Sequence, residues 1–302
     1  MRSLEEQRLE DLKQIRDRIK TGIISYDFEE YAAFYNFSNE HINKKYSQID
    51  FTNYHTSLTV LSSGDHAFNA IYQGIDNVDT FDVNRLTEYY ALGFKKRAIE
   101  CLTFEQFCTL YSKRDRMDLE DEVIKNMDDE YKKFWEAYKY ELKCLGEEIP
   151  TVLYWTKAIM YPHGHDYNAY LNDEQTYKHL QKRLEVAKIT FVQSNITELP
   201  SKFGTYDFIE LSNILTYQHK IYSHNVKKNT TKLVTDIYDH NLNGFGTMLY
   251  QTGGTIVGDN PLAHYVPRRL KRAKKIFDKN NSEDWIYGLQ KGGRKWIWKN
   301  KD

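Results

Sequence analysis

The stretch Ser57–Asn84, SLTVLSSGDHAFNAIYQGIDNVDTFDVN, carries the first decision about the fold. Leu58-Thr59-Val60-Leu61 is a short β-rich run that stops at Ser62-Ser63-Gly64-Asp65, so a strand is expected over Ser57–Ser62 with a glycine turn behind it. His66–Gln73 then reads as a helix carrying Phe68 and Ile71, Val78–Val83 as a second strand ending on Asp82, and Arg85–Leu102 as the next helix. Strand, tight turn, helix, strand is a βαβ unit, whose crossover is right-handed and whose strands are parallel.

Upstream, Leu9, Leu12, Ile15 and Ile19 recur at helical spacing among charges, so residues 3–20 read as an amphipathic helix that packs on its own domain or on a second subunit. Downstream, the alternation gives way to helix over Phe104–Tyr111, Asp118–Cys144, Pro150–Met160 and Asp173–Ala187. This block, about 103–188, reads as a helical insertion placed to cover a site. Alternation resumes with strands at Thr190–Gln193, Tyr206–Leu211 and Gly246–Gln251, a helix at Lys227–Asn241 and a basic helix at Pro267–Lys275. Trp285–Leu289 and Lys295–Trp298, flanking Gln290-Lys291-Gly292-Gly293, read as a C-terminal antiparallel hairpin. The expectation is an α/β Rossmann-like sandwich over 51–302, its sheet mostly parallel, behind an N-terminal helical segment over 1–50.

Composition narrows the function classes. Forty-two basic and 43 acidic residues give a net charge of −1, so there is no global electrostatic case for a polyanionic partner and no nucleic acid is expected. The three cysteines, Cys101, Cys108 and Cys144, have no metal-ligand spacing and suggest a reducing compartment. With no apolar signal core and no window approaching the ~20 apolar residues of a membrane span, a soluble cytoplasmic protein is expected.

In open α/β sheets, ligands bind beyond the carboxyl ends of the strands. Ser63-Gly64-Asp65 occupies such a position with one glycine, which excludes a GxGxxG loop and a P-loop; a helix N-cap explains it equally well. Asp82, ending the next strand ~20 residues beyond, stands where nucleotide-binding sheets hold ribose hydroxyls. Asn84 either joins that site or caps the following helix. Asn195 and the pair Ser212-Asn213 end later strands at the same edge, where they would meet an adenine amine and the reactive end of the ligand.

Two further stretches carry candidate chemistry. His163 and His165, in Tyr161-Pro162-His163-Gly164-His165-Asp166, are candidates for a catalytic general base, part of a metal site, or a polar loop between helices. Arg268–Lys275 suits a phosphate-bearing acceptor, an anionic membrane face at its periphery, or plain solvent.

The order Ser-Gly-Asp, Phe-Asp-Val-Asn, Asn-Ile-Thr-Glu-Leu, Tyr-Asp-Phe-Ile-Glu-Leu-Ser-Asn resembles the class I S-adenosylmethionine-dependent methyltransferases. More narrowly, Leu61–Asn69 and Phe81–Asn84 resemble the betaine-lipid-synthesis family, which transfers a 3-amino-3-carboxypropyl group from S-adenosylmethionine to diacylglycerol. Tyr35-Asn36-Phe37-Ser38-Asn39-Glu40 sits where that family has a pre-strand aromatic and polar motif. The resemblance covers roughly 30–110 and 189–215, and departs in carrying Asn195 where many methyltransferases have an acidic residue.

It implies a class I methyltransferase sandwich with S-adenosylmethionine as cofactor. Ser63, Gly64 and Asp65 would hold the methionine end, Asp82 with Asn84 the ribose, and Asn195 with Ile196 the adenine. Ser212 and Asn213 would border the reacting carbon, and Asn36, Ser38 and Asn39 would close over the cofactor. The acceptor would be a small molecule or a lipid. Aminocarboxypropyl transfer, methyl transfer and a non-catalytic nucleoside-binding module all remain open at this point.

Overall fold

A computed structural model describes residues 4–21, 36–38, 40–112, 117–145, 167–215, 226–252, 274–277 and 285–290. The chain divides into two compact units, one gathering Gln48–Val60, Gly74–Phe81 and Lys188–Asp302, the other Met1–Ser47, Leu61–Gln73 and Asp82–Ala187.

The first unit is built on a sheet of seven strands: β1 (Thr56–Val60), β2 (Asn77–Asp82), β3 (Lys188–Gln193), β4 (Tyr206–Glu210), β5 (Leu242–Thr252), β6 (Lys274–Phe277) and β7 (Trp285–Gln290). Their order is β3-β2-β1-β4-β5-β7-β6. β1 pairs in parallel with β2 and β4, and β4 with β5, whereas β7 runs antiparallel to both β5 and β6. This is a mostly parallel, Rossmann-like architecture.

β1 is central and buried on both faces, as parallel strands are when helices cover them. On one face Leu58 and Val60 join Phe81, Ile209, Met248 and Tyr250 in an apolar cluster, closed by Leu233, Val234 and Ile237 of the helix Val226–Asn241. On the other, Thr59 stands in register with Thr80 of β2 and Glu210 of β4, all three fully buried. At the opposite end of the pair, Asp207 accepts the backbone N–H groups of His55 and Thr56 at 2.9 and 3.0 Å, which pins the start of β1 against β4.

The expected basic helix over Pro267–Lys275 is corrected at its end, because Lys274 and Lys275 open β6 and pair with Gly288 and Tyr287. The run Lys275-Ile276-Phe277 has β-branched and aromatic residues suited to a ladder, and β7 offers it an antiparallel partner. The expected hairpin strand Lys295–Trp298 lies outside the described residues; β7 is partnered by β6 and β5.

The second unit is helical: α1 (Leu4–Thr21), α2 (Ile42–Tyr46), α3 (Asp65–Tyr72), a π-helix (Glu88–Lys95) running into α4 (Lys96–Cys101), α5 (Phe104–Ser112), α6 (Met117–Lys125), α7 (Asp129–Leu145), a 3-10 turn (Ala169–Leu171) and α8 (Glu174–Leu184). The helix expected over Asp118–Cys144 breaks into α6 and α7, because the Asp128 carbonyl accepts from Tyr131 and Lys132 and starts a new helix. The segment read as Arg85–Leu102 holds a π-helix over Glu88–Lys95, continued by α4. Gly93 lets α7 close on it: a Cβ there would lie 2.9 Å from the Tyr131 ring.

Of the apolar stripe of α1, Leu12 is partly buried. Leu9 is 64 % exposed, while Asp11 is fully buried. Asp11 accepts the Tyr89 hydroxyl at 2.6 Å and the Gln7 amide at 2.9 Å, with Arg85 Nε at 3.4 Å. α1 is therefore pinned to the π-helix by a carboxylate. The core between these helices is aromatic, with Tyr89 stacked on Phe134 and the Trp135 indole donating to the Tyr89 carbonyl at 3.0 Å. Among the described residues, no helix is long and apolar enough to cross a membrane.

Candidate functional site

β1 runs out at Val60, and the chain turns through Leu61–Gly64 into α3. Gly64 N–H closes the turn on the Leu61 carbonyl at 2.7 Å. Gly64 has φ +84°, and a Cβ on it would come within 2.7 Å of the Phe68 ring and 3.0 Å of the Ala91 methyl. The glycine is thus demanded by the turn and by packing beneath it. Ser62 also sits at positive φ, +45°, a conformation that costs a non-glycine residue about 1–3 kcal/mol unless its surroundings hold it. What holds it is Asp82, whose Oδ2 accepts the Ser62 N–H at 2.9 Å.

Asp82 differs from Asp65 in being partly exposed. Its side chain is partly exposed, and it accepts the Asn84 N–H at 2.9 Å and the Ser62 N–H, with the Val83 amide also leaning on it. A carboxylate has about four acceptor directions, so room remains for a hydroxyl donor. The crowded surroundings disfavour its charge and raise its pKa to about 6, against the opposing pull of those backbone amides. Asn84 takes the capping role that the sequence left open, accepting the Leu86 N–H on its side-chain oxygen at 3.1 Å.

Asp65 is the opposite case. Fully buried, it accepts four bonds: Lys95 Nζ at 2.7 Å and the Tyr170 hydroxyl at 2.6 Å on Oδ1, and the Ser38 N–H at 2.6 Å and the Ser63 hydroxyl at 2.8 Å on Oδ2. Its acceptor directions are all taken. Lys95, also fully buried, donates to Asp65, to the Asn36 carbonyl at 2.7 Å and to the Ser63 carbonyl at 3.2 Å, which uses its three N–H groups. Burial lowers its pKa to about 8, and Asp65 works against that shift.

Ser63, Asp65, Asn36 and Ser38, expected to touch a cofactor, thus come together with side chains engaged inside the protein. Lys95 and Tyr170 were missed. The only sequence signal for Lys95 was a cation ending the otherwise apolar run Tyr89–Phe94. A second buried group adjoins α3, where Glu40 Oε2 meets Lys45 Nζ at 2.5 Å and His66 Nε2 at 3.7 Å.

In the sheet unit, the end of β4 repeats the turn after β1. Ser212 has φ +53°, and its N–H is accepted at 2.9 Å by Glu210, two residues earlier. Ser212 is buried and Asn213 partly exposed. Asn195 is partly exposed, and its side-chain oxygen caps the 3-10 turn Ile196–Glu198 by accepting the Thr197 N–H at 3.1 Å. Ile196 is 1 % exposed and sits in the apolar cluster, so its side chain is core. His163, His165 and Asn39 lie outside the described residues.

No family model and no curated protein matches the chain. Solved structures similar to it include the N-methyltransferase NodS of Bradyrhizobium japonicum, with 6 % identity over 83 % of this chain and 94 % of that one at a TM-score of 0.40. Another is a TehB-like S-adenosylmethionine-dependent methyltransferase of Corynebacterium glutamicum, with 9 % identity over 95 % and 99 % of the two chains at a TM-score of 0.38. A third is the 16S rRNA methylase RmtB, with 11 % identity over 94 % and 75 % at a TM-score of 0.35.

Proposed function

We propose that this chain is an S-adenosylmethionine-dependent transferase in which Asp82 takes the ribose. The observation that carries the reading is the contrast between two acids flanking one turn: Asp65 is saturated and sealed, whereas Asp82, ending β2, is partly exposed with acceptor capacity left. A carboxylate accepting a ribose hydroxyl contributes about 1.5–3 kcal/mol. Since Ser63 and Asp65 face inward, the methionine end falls to the main chain of the turn and to the partly exposed Ser62. On sequence order alone, Asn195 is assigned to the adenine, Ser212 and Asn213 to the border of the reacting carbon, and His163 or His165 to the general base.

The bound sulfonium would supply an activated carbon for attack by a small-molecule or lipid acceptor. Attack on the methyl carbon breaks the S–CH3 bond and releases S-adenosylhomocysteine. Attack on the methionine Cγ breaks the S–Cγ bond and releases methylthioadenosine. The order of motifs along the chain favours the first, and the Leu61–Asn69 and Phe81–Asn84 stretches favour the second. Chromatography of the nucleoside product after incubation with S-adenosylmethionine and candidate acceptors separates them, since each reaction leaves one product. Saturable binding with neither product for any acceptor class would instead favour a binding module, and His163→Ala and His165→Ala variants with unchanged turnover would remove the base assignment.

A further inference from the structure

Within the helical unit, the Asp65–Lys95 pair ties the turn to the segment Asn36–Ser38. Three consecutive residues, Asn36, Phe37 and Ser38, each make one contact with the Asp65–Lys95 pair. The Asn36 carbonyl accepts from Lys95 at 2.7 Å, the Phe37 ring lies 4.0 Å beneath the Lys95 ammonium, and the Ser38 N–H donates to Asp65 at 2.6 Å. Tyr90 adds a hydroxyl bond to the Asn36 carbonyl at 3.0 Å. The same pair grips the turn from the other side, through the Ser63 carbonyl and hydroxyl.

Sealing an ion pair away from water costs several kcal/mol per ion, and the cost is offset only when the remaining donors and acceptors are satisfied. Here Asn36 and Ser38 supply part of that satisfaction. If the 36–38 segment leaves, Lys95 loses an acceptor and an aromatic face, and Asp65 loses a donor. The charges left short are the ones that fix Ser63, and Ser63 is joined through one peptide bond to Ser62, which Asp82 holds.

We infer that Lys95 is a positioning residue which, through Asp65, makes the seating of the Asn36–Ser38 segment a condition for the turn geometry that the nucleoside site requires. No atom of Lys95 need reach the ligand. This inference rests on the cofactor reading for its consequence, while its structural half stands independently.

The test is the Lys95→Met variant of the full chain, followed by amide hydrogen exchange at Ser38 and neighbouring residues and by titration with S-adenosylmethionine. The Ser38 amide, bonded to Asp65, is expected to exchange about tenfold faster or more, with β5 and α8 amides unchanged. S-adenosylmethionine affinity is expected to fall by about tenfold, the size of one lost charge-assisted bond. Once an acceptor is known, KM for the cofactor should rise while kcat holds within about threefold.

Lys95→Met strands Asp65 as a buried unpaired charge and so risks unfolding. The Asp65→Asn/Lys95→Met double variant removes both charges and is expected to show the same two effects. Wild-type exchange at Ser38 in either folded variant overturns the inference, as does faster exchange with unchanged affinity. Failure of the wild-type chain to bind S-adenosylmethionine, with Ser38 exchange still accelerated, would sink the cofactor reading and leave the seating of the segment intact.

Discussion

The turn after β1 and the turn after β4 use one backbone device. In each a leucine is followed by a serine at positive φ, Ser62 at +45° and Ser212 at +53°, and in each a carboxylate accepts the serine N–H at 2.9 Å. They differ in where the carboxylate comes from and what surrounds it. At β1 it is Asp82, supplied by the neighbouring strand and partly exposed; at β4 it is Glu210, two residues back on the same strand and fully buried. A tie made across strands leaves its carboxylate at the rim, where it can serve a ligand as well. At β4 the tie is made within one strand, and its carboxylate is buried.

The largest effect should come from the position that no carboxylate can rescue. Gly64→Ala places a Cβ at positive φ and against Phe68, so a loss of about 2–4 kcal/mol in urea unfolding is expected, with cofactor binding lost alongside. A loss under about 0.5 kcal/mol would mean the turn refolds around the new methyl. Asp82→Asn should next separate the two turns. Affinity for S-adenosylmethionine is expected to fall by roughly 10–150-fold, from the lost charge-assisted bond. Glu210→Ala should instead cost about 1–3 kcal/mol of stability by leaving the Ser212 N–H without its acceptor, and calorimetry of the folded variant should give an affinity close to wild type. If Glu210→Ala weakens binding as much as Asp82→Asn, the division of labour drawn here is wrong.

Acid sharpens the same contrast. The folded pKa of Asp82 is raised to about 6, so folding favours its protonated form. The stability it contributes is present below the ordinary carboxylate range and is lost as pH rises through about 6. Ligand binding should run the other way, because the ionised form is the acceptor, with affinity weakening about tenfold per pH unit below 6. Both slopes should vanish in Asp82→Asn. The smallest effect is expected at Ser212→Gly, which relieves positive-φ strain and should raise stability by about 0.5–1 kcal/mol in thermal melts. A destabilisation there would mean that the serine side chain holds more than the strain costs.

Much of the sheet was legible because its signals are local. Leu58–Leu61 and Tyr206–Leu211 are short strand-forming runs followed by turn residues, and the spacing from Gly64 to Asp82 follows from one βαβ unit. The region around the site was less legible because its roles are set by tertiary partners. The partners of Asp65 are Ser38, Ser63, Lys95 and Tyr170, spread over more than a hundred positions of sequence, and no local pattern marks them. Asp11 was hidden by the leucine stripe around it, since no periodicity marks a buried acid whose partner, Tyr89, lies 78 residues on. Lys274 and Lys275 read as helix by charge and became strand because β7 gave them a ladder.

The central claim is that Asp82 is the nucleoside-facing carboxylate, and isothermal titration of S-adenosylmethionine into wild type and Asp82→Asn at neutral pH tests it most directly. The account predicts saturable one-to-one binding to wild type and affinity at least about tenfold weaker in Asp82→Asn, with both proteins folded. Equal affinities in the two proteins, or no binding heat with wild type, would contradict it.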